Sequence, residues 1–141
     1  MLSQLVSLAY GWHSAMHWLL GVAAIAAIGR GVWVWLGKGA RRPIDRALLW
    51  AFAALMTIQG VLGLVVLIGY AALGAGWPLA RVLHAVLTVI AIVVGFQFMR
   101  WDDAEDKTRA RNSVLVVASA LVCTFVGILM LPGGIARMMP V

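Results

Sequence analysis

Charged residues are scarce in this 141-residue chain: Asp, Glu, Lys and Arg make up 11% of it, and only five residues are acidic. With 64% hydrophobic residues, the chain has too few polar side chains to cover a water-soluble globule. The single cysteine, Cys123, excludes an internal disulfide and a four-cysteine iron–sulfur site. The longest polar stretch, residues 100–112, is only loop-sized. These features indicate an integral membrane protein without a soluble domain.

Four apolar runs exceed or approach the roughly 20 residues that a helix needs to cross the hydrocarbon of a bilayer. Backbone groups in lipid must be hydrogen-bonded within their own segment, which favours helices, and the ten-residue alternation of a membrane barrel is absent. We therefore predict an all-α fold: a single domain over residues 1–141, built as an up-down-up-down integral membrane four-helix bundle. The predicted spans are Trp12–Leu36, Ala47–Tyr70, Leu79–Met99 and Val114–Leu131.

Basic residues flank the spans instead of forming one patch, so the formal charge of +6 does not indicate a nucleic-acid partner. Two of the three loops are strongly basic, whereas the loop between the second and third spans carries only Arg81. Because basic loops stay in the cytoplasm, we expect a multi-pass protein of the cell inner (cytoplasmic) membrane with both termini on the extracytoplasmic side. The basic residues of the two loops are Lys38, Arg41, Arg42 and Arg46, then Arg100, Lys107, Arg109 and Arg111.

The three histidines are the main chemical feature of the chain. His13 and His17 are four residues apart and so share one face of the first helix, while His84 begins the third span from the same side of the membrane. Counting helical rise from the cytoplasmic ends matches His17 to His84 within a few ångströms, whereas a first helix that ends at Arg30 favours His13. The sequence therefore predicts that imidazoles of helices one and three meet near the outer face.

Two opposed imidazoles at one depth are the ligands that a low-spin haem iron takes, with the porphyrin filling the gap between helices. Gly60 and Gly63 thin the second helix and leave room for such a plate, although small residues also serve direct helix packing. A second interpretation is a three-histidine zinc or copper site, which ranks lower because no acidic residue lies within the spans to act as a general base.

Several short motifs occur together at a characteristic spacing: the segment 17–21 that begins with His17, the segment 57–63 around Gln59, then Pro78 and the helix opened by His84. This layout resembles one four-helix half of the haem A synthase family, in which a histidine starts one helix, a Gln-x-x-x-Gly stretch lies in the next, and a second histidine starts the third. The resemblance covers all four spans and implies His17 and His84 as the haem ligands.

The chain also departs from that family. The family has an acidic residue shortly before its first histidine and an arginine just after it, whereas here no acid precedes His17 and Trp18 follows it. The resemblance therefore implies a haem b-binding module that lacks the catalytic acid and the haem-oxidising reaction.

The leading hypothesis is a small b-type cytochrome-like membrane protein that transfers electrons, with a quinone among its partners, or that anchors an oxidoreductase complex. His17 and His84 are assigned as ligands of the haem b iron, and His13 as an alternate ligand or propionate partner. Gln59 is a candidate hydrogen-bond donor to a propionate or a quinone, unless it bonds a neighbouring backbone group. The alternative is a cofactor-free structural or assembly subunit, bound to other membrane subunits or to a second copy in a homodimer.

Overall fold

The computed structural model describes residues 1–134, which form four long helices and contain no β-strand. A π-helical turn, Ala71–Ala75, prolongs the second helix, and a 3₁₀ segment, Phe96–Trp101, prolongs the third. All four helices are long and apolar enough to cross a membrane, which confirms the predicted all-α class and four spans. The helices are α1 (Leu2–Trp35), α2 (Pro43–Tyr70), α3 (Leu79–Gly95) and α4 (Asp106–Leu129).

Two helices extend well beyond the spans predicted from hydropathy. The first begins at Leu2 instead of Trp12, and the last begins at Asp106 instead of Val114. At α4 the added residues are polar, and helical hydrogen bonds continue through polar residues that a hydropathy profile does not detect. The N-terminal extension is packed: Val6 is buried and lies against Gly69 near the end of α2.

An ion pair fixes the turn between α1 and α2. Pro43 occupies the first turn of α2, where its missing N–H costs nothing, and the Asp45 carboxylate accepts the Arg42 backbone N–H at 2.8 Å. The Arg30 guanidinium donates to the same carboxylate at 2.6 Å and to the Ala40 carbonyl at 2.8 Å. Arg30 therefore has a protein partner at this turn.

Each helix packs against the two next to it around a ring, so α1 and α3 occupy opposite corners, as do α2 and α4. The two diagonals differ in length. Helices α2 and α4 also approach each other across the middle, where the Thr124 hydroxyl lies 4.0 Å from the Met56 sulfur. Space between the helices is therefore left along the α1–α3 diagonal.

The close-packed core fills one half of the bundle. Phe52, Met56 and Val117 are its largest fully buried side chains. Both basic loops lie beyond this core at one end, where the Arg46 guanidinium is 3.0 Å from the Asp102 carboxylate of the other loop. On α2 the next buried residues after Met56 are Gln59 and Gly60, and no large apolar side chain of this helix is buried again until Leu67. The outer surface is apolar, including Val22 and Ile25.

Candidate functional site

The three histidines meet at the end of the bundle away from the basic loops. The ring centre of His13 lies 5.1 Å from that of His17 and 6.3 Å from that of His84, with the ring planes nearly perpendicular in both pairs. The packing of α1 and α3 at opposite corners points their imidazoles toward each other across the bundle axis. His13 is thus the α1 ring in contact with His84, whereas the predicted depth match had favoured His17.

A cavity of about 480 Å³ opens at this level, and most of the residues that line it belong to α2 and α3, with α1 contributing both of its histidines. Its walls combine aliphatic side chains with several polar groups, and its volume is within the range of about 300–1,000 Å³ that is typical of sites for small molecules and cofactors. The polar and small residues that line it include His13, His17, His84, Arg81, Gly60 and Gly63.

The His13 ring is held by the backbone of α2. Its Nδ1 donates to the Gln59 carbonyl oxygen at 3.1 Å. Gly63 makes this contact geometrically accessible, because a Cβ at Gly63 would lie 3.0 Å from the His13 Cε1 atom. A hydrogen bond from Nδ1 to a carbonyl fixes the tautomer and leaves the lone pair on Nε2, which is the form in which histidine binds metals. The Gln59 amide nitrogen lies 3.4 Å from this Nε2 atom.

Gln59 holds the other imidazole of α1. The Gln59 side chain is 2% exposed, and its Nε2 lies 3.1–3.2 Å from the two ring nitrogens of His17 and donates to the His13 carbonyl at 3.0 Å. The Nδ1 of His17 also lies 3.3 Å from the Ser14 carbonyl. Gln59 therefore makes a bond to a neighbouring backbone group, and its Oε1 is buried without a hydrogen-bond partner among residues 1–134.

His84 is the least engaged of the three rings. Its Nδ1 is buried and has no hydrogen-bond partner within the part of the chain that the structure describes. It rests against α4 at Gly127, where an added Cβ would lie 3.0 Å from Nδ1. Nδ1 therefore faces α4, and Nε2 is the nitrogen left to bind a ligand in the cavity that His84 lines.

The distances bear differently on the two metal hypotheses. Across residues 1–134 no group of three or more His, Cys, Asp or Glu side chains is arranged to hold a metal ion, so the three-histidine zinc or copper site lacks support. A metal between two imidazoles is a separate case. With metal–nitrogen bonds of about 2 Å, ring centres lie roughly 6 Å apart, and the His13–His84 pair has a spacing of 6.3 Å.

The sequence did not identify Arg81 as a residue of the cavity. Arg81 lines the cavity three residues before His84 on α3, and its guanidinium carbon lies 5.1 Å from the centre of the Tyr70 ring. The signal was present: Arg81 is the only basic residue in its loop, and a spacing of three places it on the helix face of His84. By itself, its position in the sequence pointed only to the charge bias between the loops.

Comparisons with protein-family models, with curated proteins and with solved structures gave no match for this chain.

Proposed function

We propose that this protein is a haem b-binding membrane protein that transfers single electrons, either directly or as the membrane anchor of an oxidoreductase. The observation that carries the proposal is the meeting of His13 and His84, from opposite corners of the bundle, at a spacing of 6.3 Å on the cavity that both of them line. An iron porphyrin bound by two imidazoles supplies a reversible one-electron couple and leaves no open coordination position for other chemistry.

The residues around the cavity fit such a group. His84 lines the cavity and would bind the iron through Nε2, because its Nδ1 lies against Gly127 of α4, and His13 would offer Nε2 once Nδ1 has donated to the Gln59 carbonyl. The aliphatic walls match the apolar face of a porphyrin, and the cavity volume of about 480 Å³ is in the range of cofactor sites. The hydrogen bond to the Gln59 carbonyl would also make the His13 ring a better electron donor and so favour the oxidised iron.

His17 has a different role in this proposal from that of His13. Both of its ring nitrogens lie within 3.2 Å of the Gln59 amide nitrogen, which is closer than the 3.4 Å between that nitrogen and Nε2 of His13, so the lone pair of His17 is the more strongly engaged. We therefore assign His13 and His84 as the ligand pair and His17 as the residue that holds Gln59. The alternative expected from the sequence, with His17 as the ligand, is distinguished from this assignment by the His13→Ala and His17→Ala variants.

The proposed orientation follows from charge. The two basic loops lie at the end of the bundle opposite the cavity, where Arg46 contacts Asp102. The bias of basic residues toward the cytoplasm then assigns the cavity to the outer half of the membrane. Electrons would thus be exchanged near the extracytoplasmic surface, in reach of a quinone in the bilayer or of an external protein.

The test is an absorption spectrum of the protein purified from haem-replete cells. We expect a red protein with a sharp α band after reduction, one haem per chain, and complete loss of the low-spin spectrum in His84→Ala. A colourless protein that also takes up no haem after purification would overturn the proposal and leave the cofactor-free subunit as the better interpretation.

The α1 ligand is identified by two matched variants. We expect His13→Ala to lose the low-spin spectrum and His17→Ala to keep it, because only the His13 ring contacts His84. The two residues are one helical turn apart, so each variant serves as the control for the other. The reverse result would assign His17 as the ligand and show that the cavity rearranges around the cofactor.

A further inference from the structure

Arg81 occupies an unusual position at the cavity mouth. Its Nη1 atom is buried and has no hydrogen-bond partner among residues 1–134, while the guanidinium lies over the face of Tyr70. The side chain lines the same cavity as His84, three residues further along α3. A buried guanidinium donor without an acceptor is costly, since the group keeps its charge at every physiological pH.

No acidic side chain of the chain itself can neutralise this charge. The protein has five Asp and Glu residues, and all of them lie in the basic loops or in the adjoining first turns of α2 and α4. Those positions are at the other end of the bundle, as the contact of Asp102 with Arg46 demonstrates. The five acids are Asp45, Asp102, Asp103, Glu105 and Asp106.

The backbone adds to the positive potential at this place. Arg81 is the third residue of α3, and the N-terminal turn of a helix carries partial positive charge that favours anions over cations. An arginine there is unfavourable unless an anion lies close by. The cavity, the unpartnered donor and the helix terminus therefore all favour a negatively charged group near Arg81, one turn before His84 on α3.

Resting on the proposed function, we infer that Arg81 binds a propionate carboxylate of the haem while His84 binds the iron. Haem carries two carboxylates on one edge of an otherwise apolar plate, and a guanidinium recognises a carboxylate through two parallel N–H···O bonds. A ligand with an apolar body and an acidic edge matches a cavity with aliphatic walls and a basic mouth. Arg81 is thereby assigned as a cofactor-binding residue.

The experiment titrates purified, haem-free full-length protein with two probes: haem b, and haem b whose two propionates are methyl esters. The variants are Arg81→Gln and Arg81→Lys. Arg100→Gln is the control, because it removes the same charge from an exposed residue at the other end of the bundle. Binding is followed by absorption, and the thermal stability of each haem-free protein is measured alongside.

We expect Arg81→Gln to weaken haem b binding roughly 10- to 100-fold, the usual effect of losing a hydrogen-bonded charge pair. Arg81→Lys should lie between it and the wild type, because lysine keeps the charge but not the paired donors. For the diester, wild type and Arg81→Gln should bind equally. The haem-free Arg81→Gln protein should be as stable as the wild type.

Three results would overturn the inference. Unchanged haem b affinity in Arg81→Gln would remove Arg81 from the site and leave the proposed function intact. An equal loss for haem b and the diester would mean that Arg81 supports the fold or binds a lipid phosphate. Failure of the wild type to bind either probe, with His84→Ala indistinguishable from it, would overturn the proposed function as well.

Discussion

Gly63→Ala tests whether the α2 backbone holds the His13 ring as the structure indicates. An alanine Cβ would lie 3.0 Å from Cε1 and 3.5 Å from Nδ1 of His13, and the next closest atom, Nε2, belongs to the same ring. Carbon atoms in contact prefer about 3.5–4.0 Å, so the ring must retreat by about half an ångström. The 3.1 Å bond from Nδ1 to the Gln59 carbonyl would then stretch to about 3.6 Å, beyond hydrogen-bond range.

The expected magnitude is a balance of two opposing effects. Alanine is more favourable than glycine in a helix interior by about 0.5–1 kcal/mol. Loss of the histidine bond costs about 0.5–1.5 kcal/mol. Gly29→Ala supplies the control, since no atom lies within 4 Å of an added Cβ there. We expect the free energy of unfolding of Gly63→Ala to be about 1 kcal/mol below that of Gly29→Ala.

The measurement is detergent-induced unfolding of the haem-free protein, followed by circular dichroism, in the wild-type and His13→Ala backgrounds. The difference between Gly63→Ala and Gly29→Ala should vanish once His13 is alanine, because the clash and the lost bond both involve that ring. A difference of the same size in both backgrounds would refute the proposed contact.

Two further predictions concern the opposite ring and the far end of the bundle. Gly127→Ala should displace the His84 imidazole, because the new Cβ would lie 3.0 Å from Nδ1, and should weaken haem binding severalfold relative to Gly29→Ala in an absorption titration. An unchanged affinity would mean that the ring moves freely. Asp45→Asn should lower the free energy of unfolding by about 1–3 kcal/mol, since it removes the charged acceptor of Arg30, and a neutral result in Arg30→Gln would show that this pair contributes nothing.

The sequence alone was sufficient for the fold class. Apolar runs of bilayer length admit only helices or a closed barrel, and the absence of alternation leaves helices, so four helices long and apolar enough to span a membrane followed without tertiary information. The helix ends did not follow, since α1 begins at Leu2 and α4 at Asp106. Polar residues prolong α4 beyond its hydropathic run, whereas the extension of α1 is mostly apolar and packs through Val6 against Gly69.

The convergence of the histidines was predicted in part. Spacing placed His13 and His17 on one face and His84 at the matching end of another helix, and the three rings do meet. A count of helical rise could not predict which α1 imidazole lies beside His84. That choice depends on which ring fits against the α2 glycines and on which ring Gln59 engages. The choice between His13 and His17 as a haem ligand stays a prediction for spectroscopy.

The amino-acid pattern therefore determined the apolar character of the helices, their number and the end of the bundle that carries the imidazoles. Each of these depends on composition and periodicity along one chain. Tertiary packing decided what lies between the helices: α2 and α4 close against each other, α1 and α3 stay apart, and a cavity remains with Arg81 at its mouth. Those outcomes depend on side chains from different helices filling or leaving one shared volume, which no single segment encodes.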